Sequence, residues 1–309
     1  MRILVTGGAG FIASHIVDAY IADGHDVTII DNLVTGRKEN INTKAKFYQM
    51  DIQDDKVQDI FEKQKIDLVS HHAAQMDVRR SVEDPVYDAK NNVLGMLNIL
   101  QASVKTGVAR FIFASSGGAI YGEQDTFPAD EQHKTQPHSP YGITKLVGEK
   151  YLFFYALNYR LGYTVLRYAN VYGPRQNPHG EAGVVAIFCK RLLAGEQPTI
   201  NGNGEQTRDF VYVKDVVAAK VKALTRKDNE IFNVGTSRET TVNEVYRHLN
   251  HLTGAKKPEK YGAAKEGEQF RSVIDYGHAK KSMGWQPQYD LSQGLTETVE
   301  FFRRTCTKA

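Results

Sequence analysis

Residues 1–13 read MRILVTGGAGFIA. Arg2–Thr6 is a short apolar run of strand type, centred on Ile3, Leu4 and Val5. Gly7, Gly8 and Gly10 follow at once. Phe11–Ile21 then sets Ile12, Ile16, Val17, Tyr20 and Ile21 at helical spacing. Strand, glycine turn and helix in this order form the opening of a dinucleotide-binding unit. The glycines allow a tight turn and a close backbone approach to a pyrophosphate, whose charge the free N–H groups at the helix start attract. Gly8-x-Gly10-x-x-Ala13 carries the fingerprint with Ala in the third place, and Gly7-x-x-Gly10-x-x-Ala13 carries a related spacing. A plain turn is the competing reading. A second strand, Asp26–Ile30, ending in Asp31 at the expected distance weakens that alternative. A carboxylate there accepts hydrogen bonds from ribose hydroxyls and repels a 2′-phosphate, which favours NAD over NADP, although Arg37 and Lys38 lie near.

The chain has 309 residues, 41% hydrophobic and 24% charged, the composition of a globular enzyme. A formal charge of +3 gives no reason to expect a nucleic-acid partner. The pairs Lys280–Lys281 and Arg303–Arg304 read as solvated faces. Cys189 and Cys306 are the only cysteines, too far apart for metal-ligand spacing, so a reducing compartment is expected. The first strand begins at residue 2 and no apolar run approaches membrane length, so the expectation is a cytoplasmic protein with no membrane partner.

Asn32–Lys44 is a polar loop. Lys46–Met50 reads as a third strand, ending in Asp51-Ile52, where a carboxylate could bind an adenine amino group or simply make a surface turn. Val57–Gln64 is helical. Asp67–Ala74 is a fourth strand, exiting into Ala73-Ala74-Gln75, small residues suited to passage of a cofactor. His71 and His72 lack a third ligand at useful spacing, so no metal site is expected. Pro85–Lys105 is a long helix, Arg110–Ser116 a fifth strand, Gly117–Gly122 a loop, Ser139–Leu161 a second long helix, and Tyr163–Val171 a sixth strand. This alternation specifies an α/β fold, a doubly wound parallel Rossmann sheet. The rhythm changes near Gly173-Pro174. A smaller mixed α/β part follows, with helices at Val184–Leu193, Val213–Leu224, Val242–Thr253, His278–Met283 and Leu291–Arg304, strands at Gln197–Gly204, Arg208–Val211 and Ile231–Val234, and a polar loop at Ala255–Glu268. Residues 1–173 are expected to bind the dinucleotide, with segments near 208–236 contributing, and residues 174–309 to bind the substrate.

Tyr141 and Lys145 stand one helical turn apart. The spacing Y-x-x-x-K recurs at Tyr261/Lys265 and Tyr276/Lys280, but only the first opens a long helix after a serine-ended strand. A free tyrosine has a pKa of about 10 and is a poor base at neutral pH. A nearby ammonium and an oxidised nicotinamide favour the phenolate, and a shift of about 3 units needs roughly 4 kcal/mol. Such a tyrosine can take a proton from a substrate hydroxyl as hydride leaves the same carbon, while a serine hydroxyl shares the developing charge.

GGAGFIA, Asp31-Asn32, Asp51-Ile52, HHAAQ, SSGGAIYG, SPYGITK, RYANVYGPRQ and TRDFVYVKDV together resemble an extended short-chain dehydrogenase/reductase, and within it the UDP-glucose 4-epimerase family. The resemblance covers nearly the whole chain. It implies Tyr141 as the base, Lys145 as its activator and a ribose ligand, and Ser116 or Ser115 as the hydroxyl partner, Ser116 fitting the strand better. It implies that Gly7, Gly10, Phe11, Ile12, Asp31, Asn32, Asp51, Ile52, Ala73, Ala74, Gln75 and Tyr168 line NAD. Asn170, Arg208 and the loop around Arg175–Asn177 would hold the nucleotide diphosphate, with an Arg208–Asp209 ion pair as the alternative for Arg208. Lys265 and Glu268 would lie near the substrate phosphates, a Lys standing where the family often has Arg. His72 replaces a usually apolar residue.

Related dehydratases carry an Asp-Glu pair after strand five, and decarboxylases a Glu. This chain has Gly117-Gly118-Ala119-Ile120 there. The expected reaction is therefore 4-epimerisation of a UDP-hexose. A UDP-glucuronate or other nucleotide-sugar epimerase or reductase is the nearest alternative, and a non-catalytic NAD sensor a distant one. Ser272 stands where some relatives narrow the sugar pocket with an aromatic, so acceptance of N-acetyl sugars is expected. The two long helices resemble those that pair relatives into homodimers.

Overall fold

The computed structural model describes residues 1–178, 183–264 and 269–306. Strand β1 (Arg2–Thr6) leads through the glycine turn into α1 (Phe11–Ala22), then β2 (Asp26–Asp31), β3 (Lys46–Gln49), α2 (Val57–Gln64) and β4 (Leu68–His71). Helices α3 (Val78–Glu83), α4 (Pro85–Ala89) and α5 (Gly95–Lys105) precede β5 (Arg110–Ser116). A single helical turn α6 (Gly117–Ile120), the long α7 (Pro140–Tyr159) and β6 (Gly162–Tyr168) follow. The main sheet is parallel throughout and has seven strands, in the order Glu230–Val234, β6, β5, β4, β1, β2, β3. The order reverses between β1 and β4, and at such a switch point the carboxyl ends of the strands leave a crevice for ligand.

One face of the sheet packs on α1 and the helix Val213–Ala223, around Ile16, Val17, Leu166 and Phe232. The other packs α2, α5 and α7 around Phe61, Ile99, Phe111 and Leu152. A third core, with Phe188, Tyr212, Tyr246 and Phe302, joins helices Val184–Leu193, Val242–Thr253 and Leu291–Cys306.

Several elements differ from the sequence expectation, each for a local reason. The fourth strand stops at His71, because Thr6 Oγ1 captures the N–H groups of His72 and Ala73 at 3.1 and 3.2 Å. The sixth strand does not run to Val171. Ala169 N–H still bonds to Val234, but Asn170 N–H turns to the Asp209 carbonyl at 2.8 Å, and Asn170–Tyr172 pairs with Phe210–Tyr212 instead. The long helix after Pro85 carries a π turn at Lys90–Leu94, where Asn92 is drawn into buried polar contacts. The segment after β5 is helical rather than a loop. The short α3 was not anticipated, and Tyr261–Gly262 forms a two-residue strand inside the expected loop.

Candidate active site

The glycine turn brings two strand ends together. Gly7 has φ +69°, and a Cβ on it would meet Ala73 N at 2.8 Å. Only glycine tolerates both conditions. Gly10 precedes α1 with no side chain capping the first N–H groups, so the start of the helix, at Phe11 and Ile12, keeps its donors for an anion. Asp31 closes β2, 6% exposed. It accepts Ala9 N–H at 2.9 Å and Leu33 N–H at 2.8 Å, which leaves carboxylate lone pairs unused. Asn32 donates to Asp51 at 2.8 Å, and Asp51 also accepts from Gln53, so two of the predicted adenosine-side residues support each other. Ile52 lies in the core of the second sheet face. These features fit an extended dinucleotide.

Tyr141 and Lys145 project from the first turns of α7, started by Ser139, whose Oγ accepts Gly142 N–H at 3.1 Å, and by Pro140. Ser116, at the end of β5, is near enough to Tyr141 to draw its pKa down. Ser116 precedes α6 without capping it. Lys145 Nζ donates to the Ala114 carbonyl at 2.9 Å and lies 5.7 Å from the Tyr141 ring. Burial pushes Tyr141 up to about 12, against the pull of Ser116, and pushes Lys145 down to about 8. In the chain by itself desolvation, with Asp88 adding to it, dominates at Tyr141; the lowered pKa expected above belongs to the state with oxidised nicotinamide beside the phenol.

Ser115, the other candidate hydroxyl, faces elsewhere. Its Oγ donates to Glu149 at 2.6 Å, because neighbouring strand residues point to opposite faces. Beneath Lys145 lies a polar network that sequence reading missed. Asp88 accepts from Thr144 at 2.8 Å, Asn92 at 3.0 Å and Gln75 at 3.0 Å. Asp88 favours the ammonium of Lys145. The spacings Asp88-x-x-x-Asn92 and Lys145-x-x-x-Glu149 were the available signals. Gln75 belongs to this network through side chain and backbone alike: its N–H donates to Asn92 Oδ1 at 2.8 Å and its carbonyl accepts from Asn92 Nδ2 at 2.9 Å. Ala73 and Ala74 line the same strand end.

Tyr168 closes β6 with its ring stacked on His72, centroids 6.5 Å apart, and its Oη 3.4 Å from His72 Nε2. Among the described contacts His71 pairs with Thr6 at 2.9 Å and stacks on Phe113, so the two histidines face different partners. Arg175 does not turn toward a diphosphate. It pairs with Asp18 of α1 at 2.8 Å. Arg208 Nη1 donates to the Thr207 carbonyl at 2.7 Å, while the Asp209 carboxylate is claimed by Thr236, Ser237 and Ile274. Asn170 stands beside Gly118 at the mouth of the crevice. Ser272 is buried and its carbonyl accepts Asp209 N–H at 3.0 Å. Lys265 and Glu268 lie outside the described residues.

The model of the NAD dependent epimerase/dehydratase family matches residues 3–235. Among solved structures, the UDP-glucose 4-epimerase of Thermotoga maritima, with UDP-glucose, is 51% identical, with a TM-score of 0.97, covering 99% of this chain and 100% of that one. This chain belongs to the UDP-glucose 4-epimerase family. A Thermus thermophilus UDP-glucose 4-epimerase in complex with NAD is 43% identical over 98% of this chain and 99% of that one, with a TM-score of 0.92. A Methanobrevibacter ruminantium UDP-N-acetylglucosamine 4-epimerase, in complex with UDP-N-acetylmuramic acid, is 35% identical over 98% of both chains, with a TM-score of 0.93. As a member of this family the chain is an NAD-dependent enzyme, and no helix among its described residues is long and apolar enough to cross a membrane.

Proposed function

We propose that the chain interconverts the C4 epimers of a UDP-hexose, UDP-glucose and UDP-galactose first, with NAD retained. The observation that carries this reading is the placing of Tyr141 and Lys145 on the first turns of α7, with Lys145 Nζ bonded to the Ala114 carbonyl of β5, beside a segment, Gly117–Ile120, with no ionisable side chain. A dehydratase or decarboxylase needs a further acid or base at that position. Gly7, Gly10, Phe11, Ile12, Asp31, Asn32, Asp51, Ala73, Ala74, Lys145 and Tyr168 are proposed to hold the cofactor. When bound, NAD supplies the hydride acceptor for sugar C4 and a positive charge beside Tyr141. Tyr141 Oη takes the C4 hydroxyl proton and later returns it, and Ser116 Oγ donates to the sugar oxygen as negative charge grows there. Lys145, held between Ala114 and the Asp88 network, adds positive potential at the phenol. Asn170 and Arg208 are proposed to bind the nucleotide diphosphate.

Residues 1–173 with 208–236 are read as the cofactor part and 174–309 as the substrate part. The small, buried Ser272 supports a second reading, that N-acetyl hexoses are also turned over. A cytoplasmic setting is read from the low cysteine count, Cys189 and Cys306 alone. The functional test is incubation of purified protein with UDP-galactose and no added NAD. UDP-glucose is expected by chromatography, with the conversion lost in Tyr141→Phe. Reduced NAD building up in step with substrate loss would overturn the choice of reaction. UDP-GlcNAc left untouched by a protein that converts UDP-galactose would overturn the N-acetyl reading.

A further inference from the structure

Besides its apolar contacts, helix α7 turns a polar stripe of three residues, Tyr141, Lys145 and Glu149, four positions apart, toward the end of β5. Lys145 donates to the Ala114 carbonyl at 2.9 Å, Glu149 Oε1 accepts the Ser115 hydroxyl at 2.6 Å, and Tyr141 lies at the Ser116 end of the strand, where Ser116 draws its pKa down. The Glu149 contact is anchored from behind. Glu149 and Arg167 are 3% and 5% exposed and joined through two hydrogen bonds, at 3.0 and 2.7 Å. Arg167 also donates to Tyr121 Oη at 2.9 Å, and Tyr121 donates to Asn233 at 2.7 Å. Arg167 is the cross-strand partner of Ser115, as Tyr168 is of Ser116. Thus one buried carboxylate ties α7, β5 and β6 at the level just below the reacting groups.

We propose that Ser115, through Glu149 and Arg167, is a positioning residue that sets Ser116 against Tyr141, and so fixes the register of α7 on β5. The inference rests on the epimerase reading of the site. The chain beyond Ser116 cannot supply this positioning, because Gly117 and Gly118 follow directly and neither has a side chain to anchor. The Ser115 hydroxyl is therefore the last side-chain tether before the strand end. With it in place, alternation along the strand leaves Ser116 facing the phenol. Positioning of this kind matters because displacements well under 1 Å at a reacting group lower rates strongly.

The test compares Ser115→Ala with Ser115→Thr. Alanine removes the tether but leaves Glu149 paired with Arg167, so no buried charge is stranded and the fold survives. Expected for Ser115→Ala is a ten-fold or greater loss in kcat for UDP-galactose, with KM within about two-fold and unchanged NAD content. The acid limb of the kcat profile should move to higher pH, because the pull of Ser116 on the phenol is weakened. Ser115→Thr, which keeps the hydroxyl, should restore both kcat and the limb. Unchanged kcat and pH profile in Ser115→Ala overturn the proposal, as does an equal loss in both variants that follows only their melting temperatures. A crystal structure of Ser115→Ala reads the Ser116 Oγ–Tyr141 Oη separation without any turnover. A separation longer than in the parent protein supports positioning, and an unchanged separation overturns it. If the parent protein leaves UDP-galactose unconverted, the reaction assignment fails, while the structural comparison still decides the positioning role.

Discussion

The Nζ of Lys220 is fully buried under the sheet, donating to the Ile112 carbonyl at 3.2 Å and to Ser70 Oγ at 3.4 Å. Burial, with Lys145 adding like-charge repulsion, holds its pKa well below the ordinary 10.5. In the unfolded chain the same amine keeps its proton up to that ordinary value. Between the two pKa values the unfolded state binds one more proton, so stability falls as pH drops, by up to about 1.4 kcal/mol per unit, and levels off below the folded pKa. Lys220→Met removes the titration at similar volume. The stability gap in favour of the variant should be smallest above pH 10.5, widen as the pH falls, and then plateau. Urea melts of both proteins across the range check this, since the other buried groups cancel in the difference. A gap that widens with rising pH would show that the folded amine is stabilised as the ammonium.

At the scale of the element, the proposed cofactor site is built on the β1–α1 turn. An alanine at Gly7 takes on an unfavourable positive φ, at about 1–2 kcal/mol, and also meets Ala73 N at 2.8 Å. Gly7→Ala is expected to lower the melting temperature and to strip the protein of bound NAD, measured as nucleotide released on denaturation per protomer. Retention of a full complement of NAD would show that β1 and β4 can separate without loss of the site. This turn, the strand–helix alternation and the Tyr141–Lys145 spacing were legible in the sequence because each is written in a few consecutive residues. What escaped was written across elements. The strand switch at Asn170 depends on Asp209, some forty residues on. Asp88 is reached from Gln75 and Thr144, which no local pattern connects. That Ser115 turns to Glu149, itself held by Arg167, depends on two other elements. Burial likewise raises the pKa of Tyr141 in the chain by itself, and burial is a property of the packed core rather than of any motif.

At the scale of the whole molecule, the outer face of α7 is left apolar and open. Ile143, Phe153, Phe154 and Leu157 are between 46% and 72% exposed, and Val82, Val86 and Leu94, on the neighbouring segments between residues 78 and 94, are at least 55% exposed. An apolar face of this kind on a two-helix layer is the surface that a two-fold axis can bury against its own copy. Each substitution on such an axis enters the interface twice. Burying one leucine contributes about 2 kcal/mol, so losing two copies weakens association by about three orders of magnitude before the cost of a buried charge is added. Leu157→Lys is therefore expected to convert a dimer into a monomer at micromolar concentration, read by light scattering on a sizing column. The monomer should keep its helix content by circular dichroism, because Leu157 is 72% exposed and supports no core of its own chain. The melting temperature of the parent protein should rise with protein concentration while that of the variant stays flat, as mass action requires when folding is linked to association. A parent protein that elutes as a monomer, with a melting temperature independent of concentration, would leave this face without a second copy to cover it.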